Sequence, residues 1–317
     1  MFTQFRTEGF NGYSTKWSPF FENKLAVATA SNFGLVGNGR LFVMNSMGDG
    51  VAVERVYDTQ DGLFDIAWSE INENQLVASS GDGSIKMWDT TLADYPIQNW
   101  QEHQREVFSV DWNLVTKDLF SSGSWDHTVK IWSPQAPRSL QTYTEHTHCV
   151  YSTSWSPYNP TMLASASGDQ TVKIWDTKQP RSVQTIRAHH NEVLSVDWNK
   201  YQDHMLATGS VDKTIKVWDL RRPDREVICL SGHEFAVRRV RWSPHRPNIL
   251  GSVAYDMSVR FWDTAAMPGQ NLIHVHDAHT EFVLGLDFNL YVEGQVATCA
   301  WDEKINIFMP PPLLARR

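Results

Sequence analysis

The sequence predicts an all-β protein that folds as a seven-bladed β-propeller, a closed ring of four-stranded antiparallel sheets. Short runs in which apolar and polar residues alternate, as they do in β-strands, follow one another along the 317 residues. One pattern recurs every 43 to 46 residues, and seven copies account for nearly the whole chain. In each copy an Asn or Asp stands six residues before a large apolar residue, and these closing residues are Met44, Trp88, Trp132, Trp175, Trp218, Trp262 and Phe308.

The clearest copy covers residues 103–132, which open on His103, pass through two tight turns and close on Ile131 and Trp132. Four copies end on Trp followed by Asp, at Trp88, Trp175, Trp218 and Trp262. A period near 43 residues, four short strands per copy and Trp-Asp endings are the signature of WD-repeat proteins, which this chain resembles.

Five copies carry the same set of polar residues. A His stands nine residues before the aromatic residue that ends the first strand, at His103, His146, His189, His233 and His279. A hydroxyl stands four residues before the repeating Asp, at Ser122, Ser165, Thr208, Ser252 and Thr298. In WD-repeat proteins these residues form a hydrogen-bonded line across the blade, which satisfies both nitrogens of a buried His. We therefore expect structural networks here, and no catalytic or metal-binding groups.

The first two copies depart from this pattern. In the second, Thr59 replaces the His and Ala78 replaces the hydroxyl, so both ends of the network are lost together. The first has seven extra residues between its second and third strands, because 21 residues separate Trp17 from Asn38 where the other copies have 14. We expect residues 32–39 at the rim of the narrow face. There Phe33 or Leu35 contacts a binding partner, or the segment is only a glycine-rich spacer.

The two ends of the chain predict how the ring closes. Residues 2–8 (FTQFRTE) are similar to the outer strands of later copies, and the last copy ends on a third strand, KINIF. We expect the N-terminal strand to pair beside it, which removes two exposed sheet edges. Residues 1–309 then form a single propeller, and residues 310–317 form a proline-rich C-terminal tail that cannot extend a ladder.

Composition excludes several classes of function. A net charge of −8 argues against nucleic-acid binding, and no apolar run is long enough to span a membrane. The N-terminus lacks the apolar core of a signal peptide, and the three cysteines suit neither a metal pair nor a disulfide scaffold. No catalytic, phosphate-binding or dinucleotide-binding motif occurs. The sequence therefore predicts a cytosolic protein that is not an enzyme and has no catalytic residues, cofactor or metal.

The repeat also indicates which side chains form a binding face. In WD-repeat proteins the residues three and five after the His, and the residue just before the Asp, commonly reach the narrow face. Most residues at these positions are aromatic or aliphatic, and an apolar face favours protein or peptide binding. The alternative is that some rings only fill the channel. With Asp65, which follows Phe64, the predicted binding residues are Tyr13, Phe64, Asp65, Glu106, Phe108, Trp125, Tyr151, Glu192, Leu194, Arg238, Tyr255, Phe282, Leu284 and Trp301.

Several stretches are more specific than the repeat itself. They include NGYSTKWSPFFENKLAVATASNFGLVGNGRLFV, DGLFDIAWSE, HEFAVRRVRWSPHR, AYDMSVRFWD and HTEFVLGLDF. These stretches resemble the peroxin-seven family, the WD-repeat receptors for the type-2 peroxisomal targeting signal. The resemblance runs from about Phe10 to Phe308, and the tail PPPLLARR has no counterpart in it.

The resemblance implies a function. Such a receptor binds an N-terminal signal of pattern R-L-x5-H/Q-L on cargo enzymes, acts with a co-receptor peroxin, and docks at a complex on the peroxisomal membrane. It is expected in the cytoplasm, cycling to the peroxisomal matrix. Signal positions one, two, eight and nine share one side of a helix, which would lie in an apolar groove. A generic WD-repeat scaffold or substrate adaptor is the alternative.

The signal begins with Arg, whose guanidinium matches a carboxylate in a bidentate pair. Glu106 and Glu192 are the two carboxylates at predicted face positions. We favour Glu106, because Phe64, Phe108 and Trp125 are its expected neighbours and would partly exclude water, and we expect Asp65 to assist. Arg238 stands across the ring and can meet the C-terminal carbonyls of the helix.

Overall fold

In the computed structural model, which describes residues 2–48, 50–92 and 95–313, the alternating runs form seven four-stranded antiparallel blades. The first strand of each blade is its inner strand and lines the channel. These inner strands are β2 (Asn11–Trp17), β6 (Leu63–Trp68), β10 (Val107–Trp112), β14 (Val150–Trp155), β18 (Val193–Trp198), β22 (Val237–Trp242) and β26 (Val283–Phe288). The second strands are β3 (Lys24–Ala30), β7 (Gln75–Ser80), β11 (Phe120–Ser124), β15 (Met162–Ser167), β19 (Met205–Ser210), β23 (Ile249–Ala254) and β27 (Val296–Ala300).

The third strands are β4 (Gly39–Met47), β8 (Ser84–Asp89), β12 (Val129–Trp132), β16 (Thr171–Asp176), β20 (Ile215–Asp219), β24 (Val259–Asp263) and β28 (Lys304–Phe308). The outer strands of the first six blades are β5 (Gly50–Thr59), β9 (Gln98–Gln101), β13 (Gln141–Tyr143), β17 (Ser182–Arg187), β21 (Ile228–Leu230) and β25 (Leu272–His276). Two short 3₁₀ turns, Asn32–Gly34 and Pro311–Leu313, complete the described elements.

The N-terminal strand β1 (Phe2–Arg6) closes the ring. It is the outer strand of the seventh blade and pairs antiparallel with β28, with Phe2 opposite Phe308 and Arg6 opposite Lys304. The prediction of seven blades closed by the N-terminal strand is therefore confirmed.

The five predicted His networks form, and all five His residues are buried. In the third blade His103 Nδ1 lies 2.8 Å from Asp126 Oδ2, His103 Nε2 lies 2.7 Å from Ser122 Oγ, and the Trp132 indole donates to the same hydroxyl at 2.8 Å. The same arrangement recurs around His146, His189 and His233. These contacts satisfy both ring nitrogens, so the geometry accounts for the residues without catalysis.

The seventh blade completes its network differently, because Phe308 has no indole N–H to donate. The amide Nδ2 of Asn306 lies 3.1 Å from His279 Nε2, and the side chain of Gln4 donates to Asn306 Oδ1 at 2.8 Å. Gln4 belongs to β1, so this network extends into the strand that closes the ring.

Packing between blades supplies the core. One buried cluster joins Leu41 and Tyr57 of the first blade to Ile66, Trp68 and Trp88 of the second, and similar clusters lie between other neighbours. Because each blade covers the face of the next, stability depends on the closed stack and not on any blade alone.

Polar contacts on the wide face join particular blades. Asp111, Asp197 and Asp287, near the ends of β10, β18 and β26, each accept the backbone N–H of a Trp in the following blade, at 2.7, 2.7 and 2.9 Å. These contacts link the third blade to the fourth, the fifth to the sixth and the seventh to the first. The equivalent residues of the other four blades are not carboxylates; they are Lys16, Ala67, Ser154 and Arg241.

The described part of the predicted tail is docked on the propeller. Leu313 is buried in the core cluster of the sixth and seventh blades, and the guanidinium of Arg246 donates to the carbonyls of Pro312 and Leu313 at 3.2 and 3.3 Å. Residues 314–317 of that tail lie outside the described residues. Pro311–Leu313 of the proline run form a 3₁₀ turn.

Candidate functional site

Every inner strand carries a β-bulge at the predicted narrow-face position. In β10 the pairing with β11 passes from Val107 directly to Ser109, which leaves Phe108 without a partner across the ladder. The same irregularity occurs in the other six inner strands. A bulge redirects a side chain out of the alternation of its strand. The seven bulged residues are Tyr13, Phe64, Phe108, Tyr151, Leu194, Arg238 and Leu284.

A backbone hydrogen bond joins the other two predicted face positions in six blades. The N–H of Trp125 donates to the carbonyl of Glu106 at 2.9 Å, and the N–H of Trp301 donates to that of Phe282 at 3.0 Å. The second, fourth, fifth and sixth blades repeat the bond at 2.9 to 3.0 Å. The main chain thus brings the residue three after the His against the residue before the Asp.

Eight aromatic rings form a continuous arc on the narrow face, which we call the aromatic arc. From one end to the other its members are Tyr151, Trp125, Phe108, Phe64, Tyr13, Trp301, Phe282 and Tyr255, and successive ring centroids lie 4.6 to 6.4 Å apart. Phe108 is stacked on both Phe64, at 4.6 Å, and Trp125, at 4.9 Å. Stacked and tilted ring pairs add to the free energy of burial, so the arc is a rigid apolar platform.

The members of the face differ in accessibility. Tyr13, Phe64, Leu194 and Leu284 are buried and form the floor. Phe108, Trp125, Tyr151, Tyr255, Phe282 and Trp301 are half-buried, and so present ring surface to a ligand. Some of the predicted rings therefore fill the mouth of the channel, and others offer contact surface.

The two face carboxylates differ in their partners. The carboxylate of Glu192 accepts the Tyr151 hydroxyl at 3.0 Å, and burial followed by this carboxylate raises the pKa of Tyr151. Among the described residues the only ion-pair partner of the Glu106 carboxylate is Arg105, at 3.5 Å, and the side chains of Glu106 and Arg105 are 33% and 56% exposed. A pair this open contributes little free energy, so a ligand can replace Arg105.

Arg238, the bulged residue of β22, is a buried cation on this face. Its Nη2 has no hydrogen-bond partner, and among the described residues no carboxylate lies within ion-pair distance of its guanidinium. Arg238 therefore adds a positive charge to the narrow face that no described carboxylate neutralises through an ion pair.

Asp65 is not on the face, which corrects its predicted role. Its buried carboxylate lies inside the channel, where the guanidinium of Arg239 donates to it at 3.0 and 3.1 Å and the Ser14 hydroxyl donates at 2.7 Å. Burial alone would raise the pKa of the Asp65 carboxyl, but Arg239, and then Lys16, hold it below its usual range. The side chain that follows a bulged residue again points to the side that the alternation of the strand gives it. Counting one position on from Phe64 therefore places Asp65 on the face, although its side chain points into the channel.

The structure adds residues that the position rule missed. Phe33, in the inserted segment, packs its ring on Trp301 at 5.4 Å, which places residues 32–39 at the narrow face as predicted. Asp61 lies over Gly81, and its pKa is raised by burial and then by the nearby carboxylates of Asp82 and Glu106. The Asp-Gly pair before Leu63 was the available signal for Asp61.

The ring of antiparallel blades with repeated His networks defines a WD-repeat β-propeller. The family model described as "WD domain, G-beta repeat" matches residues 54–89, 94–133, 137–176, 180–219 and 224–263. These matches reach only the outer strand β5 of the first blade and none of the strands of the seventh blade.

The chain belongs to the family of peroxisomal targeting signal 2 receptors. It is 53% identical to the Dictyostelium discoideum receptor of that name over 288 residues, which cover 90% of this chain and 91% of that one. It is also 61% identical to the Komagataella phaffii receptor over 137 residues and 46% identical to the Homo sapiens receptor over 105 residues. The aligned part spans about a third of the length of these last two relatives, at 36% and 32%. The family is one of receptors and not of enzymes.

Across residues 2–48, 50–92 and 95–313, no helix is long and apolar enough to cross a membrane. The same residues contain no group of three or more His, Cys, Asp or Glu side chains placed to hold a metal ion.

Proposed function

We propose that this chain is an import receptor that binds the N-terminal type-2 targeting signal of cargo enzymes on its narrow face. With a co-receptor peroxin it delivers them to a docking complex on the peroxisomal membrane and into the matrix, cycling between cytoplasm and peroxisome. Family membership supports the receptor role. The aromatic arc is the structural observation that carries the binding mode, since it offers a rigid apolar bed for one side of a helix.

The charges around the arc favour one orientation of the signal helix. Glu106 and Asp61 make the side of the second and third blades acidic, and Arg238 of the sixth blade lies across the ring. A helix that begins with Arg fits with its N-terminus near Glu106, and its C-terminal carbonyls would then approach Arg238. Glu106 remains our choice over Glu192, because Glu192 is already occupied by Tyr151. Asp61 replaces Asp65 as the assisting carboxylate.

Fluorescence anisotropy with a labelled R-L-x5-H-L peptide tests this assignment. We expect Glu106→Gln to weaken binding roughly tenfold, about 1.4 kcal/mol, because it removes a charged acceptor from a partly shielded site. Glu106→Arg should restore binding to a peptide whose Arg is changed to Glu. Glu192→Gln is the matched control and should change affinity by much less.

Two results would contradict the proposal at different levels. If Glu106→Gln binds the native peptide as tightly as wild type, the charge contact is wrong although the receptor role stands. If the wild-type protein, with and without cytosolic extract, does not distinguish the signal from a scrambled peptide, a generic scaffold or adaptor role is favoured instead.

A further inference from the structure

The aromatic arc presents its accessible surface in two separate parts. Three rings at each end are half-buried: Phe108, Trp125 and Tyr151 at one end, and Trp301, Phe282 and Tyr255 at the other. Tyr13 and Phe64, which stand between these two groups, are only 5% and 4% exposed. The arc is therefore continuous as a packed set of rings but interrupted as a surface that a ligand can reach.

The inserted segment of the first blade produces this interruption. Its Gly34 lies over the two buried rings, because a Cβ at this position would stand 2.5 Å from the hydroxyl oxygen of Tyr13 and 3.1 Å from a ring carbon of Phe64. The Tyr13 hydroxyl also donates to the carbonyl of Phe33 at 2.7 Å. Gly34 has a φ of 69°, a left-handed conformation that favours glycine, so both its backbone and its missing side chain suit this place.

Hydrogen bonds hold the inserted segment in place. Its ends are joined at Ser31, whose N–H and hydroxyl both donate to the carbonyl of Asn38, at 2.8 and 2.9 Å. Within the segment, the N–H of Gly34 donates to the carbonyl of Ser31 at 2.9 Å, and the side chain of Asn32 donates to the carbonyl of Val36 at 3.2 Å. A compact loop with closed ends and internal bonds is a fixed divider on the face.

The first subsite is the end of the arc that consists of Phe108, Trp125 and Tyr151. Its three rings are in mutual contact, with centroids 4.9 to 6.4 Å apart. Glu106 adjoins them, because its carbonyl accepts the N–H of Trp125 at 2.9 Å and its side chain is 33% exposed. Three rings beside an accessible carboxylate suit an apolar side chain that has a basic neighbour.

The second subsite is the end of the arc that consists of Trp301, Phe282 and Tyr255. Phe282 lies 5.3 Å from Trp301 and 4.9 Å from Tyr255. The ring of Phe33 packs on Trp301 at 5.4 Å and bounds the subsite on the side of the inserted segment. This subsite suits a second apolar side chain of the same ligand.

The distance between the two subsites distinguishes among helical ligands. Three centroid steps of 4.6, 4.9 and 5.9 Å lead from Phe108 through Phe64 and Tyr13 to Trp301. Side chains four residues apart on a helix are separated by about 5–6 Å, which is one such step, so the second of them falls on the covered middle of the arc. Side chains seven residues apart are separated by about 10.5 Å along the helix and can reach across the inserted segment.

We propose that the inserted segment divides the aromatic arc into two subsites and thereby selects ligands whose two apolar side chains stand seven residues apart on a helix. This inference rests on the proposed function, in which the two leucines of the R-L-x5-H/Q-L signal have this spacing. The leucine next to the arginine enters the first subsite beside Glu106, and the last leucine enters the second subsite. Gly34 determines specificity by what it covers, because it closes Tyr13 and Phe64 to a leucine.

Fluorescence anisotropy with two labelled peptides tests the divider. One peptide is R-L-x5-H-L. The other is R-L-x2-H-L, extended with alanine to equal length, whose leucines share one side of a helix at a spacing of four residues. We expect the wild-type protein to bind the first peptide at least tenfold more tightly than the second.

Two variants of the inserted segment show whether it causes this preference. A variant that lacks the seven extra residues should reduce the preference to less than threefold, because Tyr13 and Phe64 become accessible. The double variant Leu35→Ser/Val36→Ser keeps Gly34 in place and is the matched control, which should retain the full preference.

Double-mutant cycles between peptide and protein assign the leucines to the subsites. On the wild-type protein, replacing either leucine of R-L-x5-H-L with alanine should weaken binding about tenfold. In Trp125→Ala the loss caused by replacing the first leucine should fall below threefold, while the loss for the last leucine stays the same. In Phe282→Ala the pattern should reverse. Circular dichroism checks that both variants are folded.

Equal binding of the two peptide spacings by the wild-type protein overturns the divider and needs no variant. A full spacing preference in the variant without the extra residues overturns the role of the inserted segment. Leucine losses that are the same in Trp125→Ala and in Phe282→Ala overturn the assignment of the subsites. Failure of the proposed function itself has a different signature, because the wild-type protein would then bind R-L-x5-H-L no better than a scrambled peptide, and both ideas would fall together.

Discussion

Arg239 of the sixth blade crosses the channel and places two guanidinium nitrogens on one carboxylate oxygen of Asp65 in the second blade, at 3.0 and 3.1 Å. Both side chains are buried. Asp65 also accepts hydrogen bonds from the Ser14 hydroxyl and from the backbone N–H of Val110. One carboxylate thus connects the first, second, third and sixth blades.

We therefore expect Asp65→Ala to lower the free energy of unfolding by about 3–5 kcal/mol, because it leaves Arg239 buried without a counter-ion. Urea denaturation measures this loss. The double variant Asp65→Leu/Arg239→Met removes both charges and should recover much of the stability. If Asp65→Ala is as stable as wild type but fails to bind the signal, Asp65 belongs to the binding site after all.

The position of Asp65 shows where prediction from the sequence ends. The period, the turn Asp and the Trp endings predicted the seven blades. The likeness of residues 2–8 to the outer strands predicted the N-terminal closure, and the spacing of His and hydroxyl residues predicted the five networks, because these features repeat and each has a local physical cause. The narrow-face positions were predicted by counting within the repeat. The bulge that points Phe64 to the face and turns Asp65 into the channel depends on the pairing of two strands. The pairing of Asp65 with Arg239 joins residues 174 positions apart, which no local pattern encodes.

His189 provides a test of the networks. We expect His189→Ala to cost about 1–3 kcal/mol of stability, because it leaves Asp212 and Thr208 as buried groups without their partner. The neighbouring His190 is exposed, so His190→Ala is a matched control that should leave the urea midpoint unchanged. Signal binding should persist in the folded fraction of both variants. Loss of binding at unchanged stability would instead make His189 a site residue.

His276 provides a test of pH dependence. Its ring stacks on Phe308 at 3.8 Å, its Nε2 is buried without a partner, and burial, followed by the charges of His279 and His274, lowers its pKa to about 4. Between about pH 6.5 and pH 4 the unfolded chain binds a proton at this residue that the folded chain does not, so stability falls as the pH falls. For a half-buried group, after allowance for solvent screening, the loss is about 1–2 kcal/mol.

His276→Phe should therefore flatten the dependence of stability on pH between 4 and 6.5 and have a smaller effect at pH 8. Urea denaturation across this range measures it, with the exposed His190→Phe as the control. An unchanged slope in His276→Phe would show that the acid sensitivity arises elsewhere.

The inserted segment tests whether the rim of the narrow face binds a partner. Two hydrogen bonds hold the backbone of Phe33: its N–H donates to Asn11 Oδ1 at 2.7 Å, and its carbonyl accepts the Tyr13 hydroxyl at 2.7 Å. These bonds fix the Phe33 ring on Trp301. Phe33 adopts the left-handed conformation at φ 57°, which costs a non-glycine residue free energy. Beyond it, Leu35 and Val36 are 83% and 76% exposed.

A strained, anchored turn that exposes two aliphatic side chains favours a contact surface over a spacer. We expect Phe33→Ser to weaken binding of the labelled signal peptide about 3- to 10-fold, since it removes the ring that packs on Trp301 of the aromatic arc. The double variant Leu35→Ser/Val36→Ser should bind the peptide alone with unchanged affinity. It should lose any increase in peptide binding that the wild-type protein shows when cytosolic extract is added. Replacing residues 32–38 with Gly and Ser at equal length separates the two explanations. A second variant lacks the seven extra residues. If both variants assemble the complex of receptor, cargo signal and co-receptor as wild type does, the segment is only a spacer.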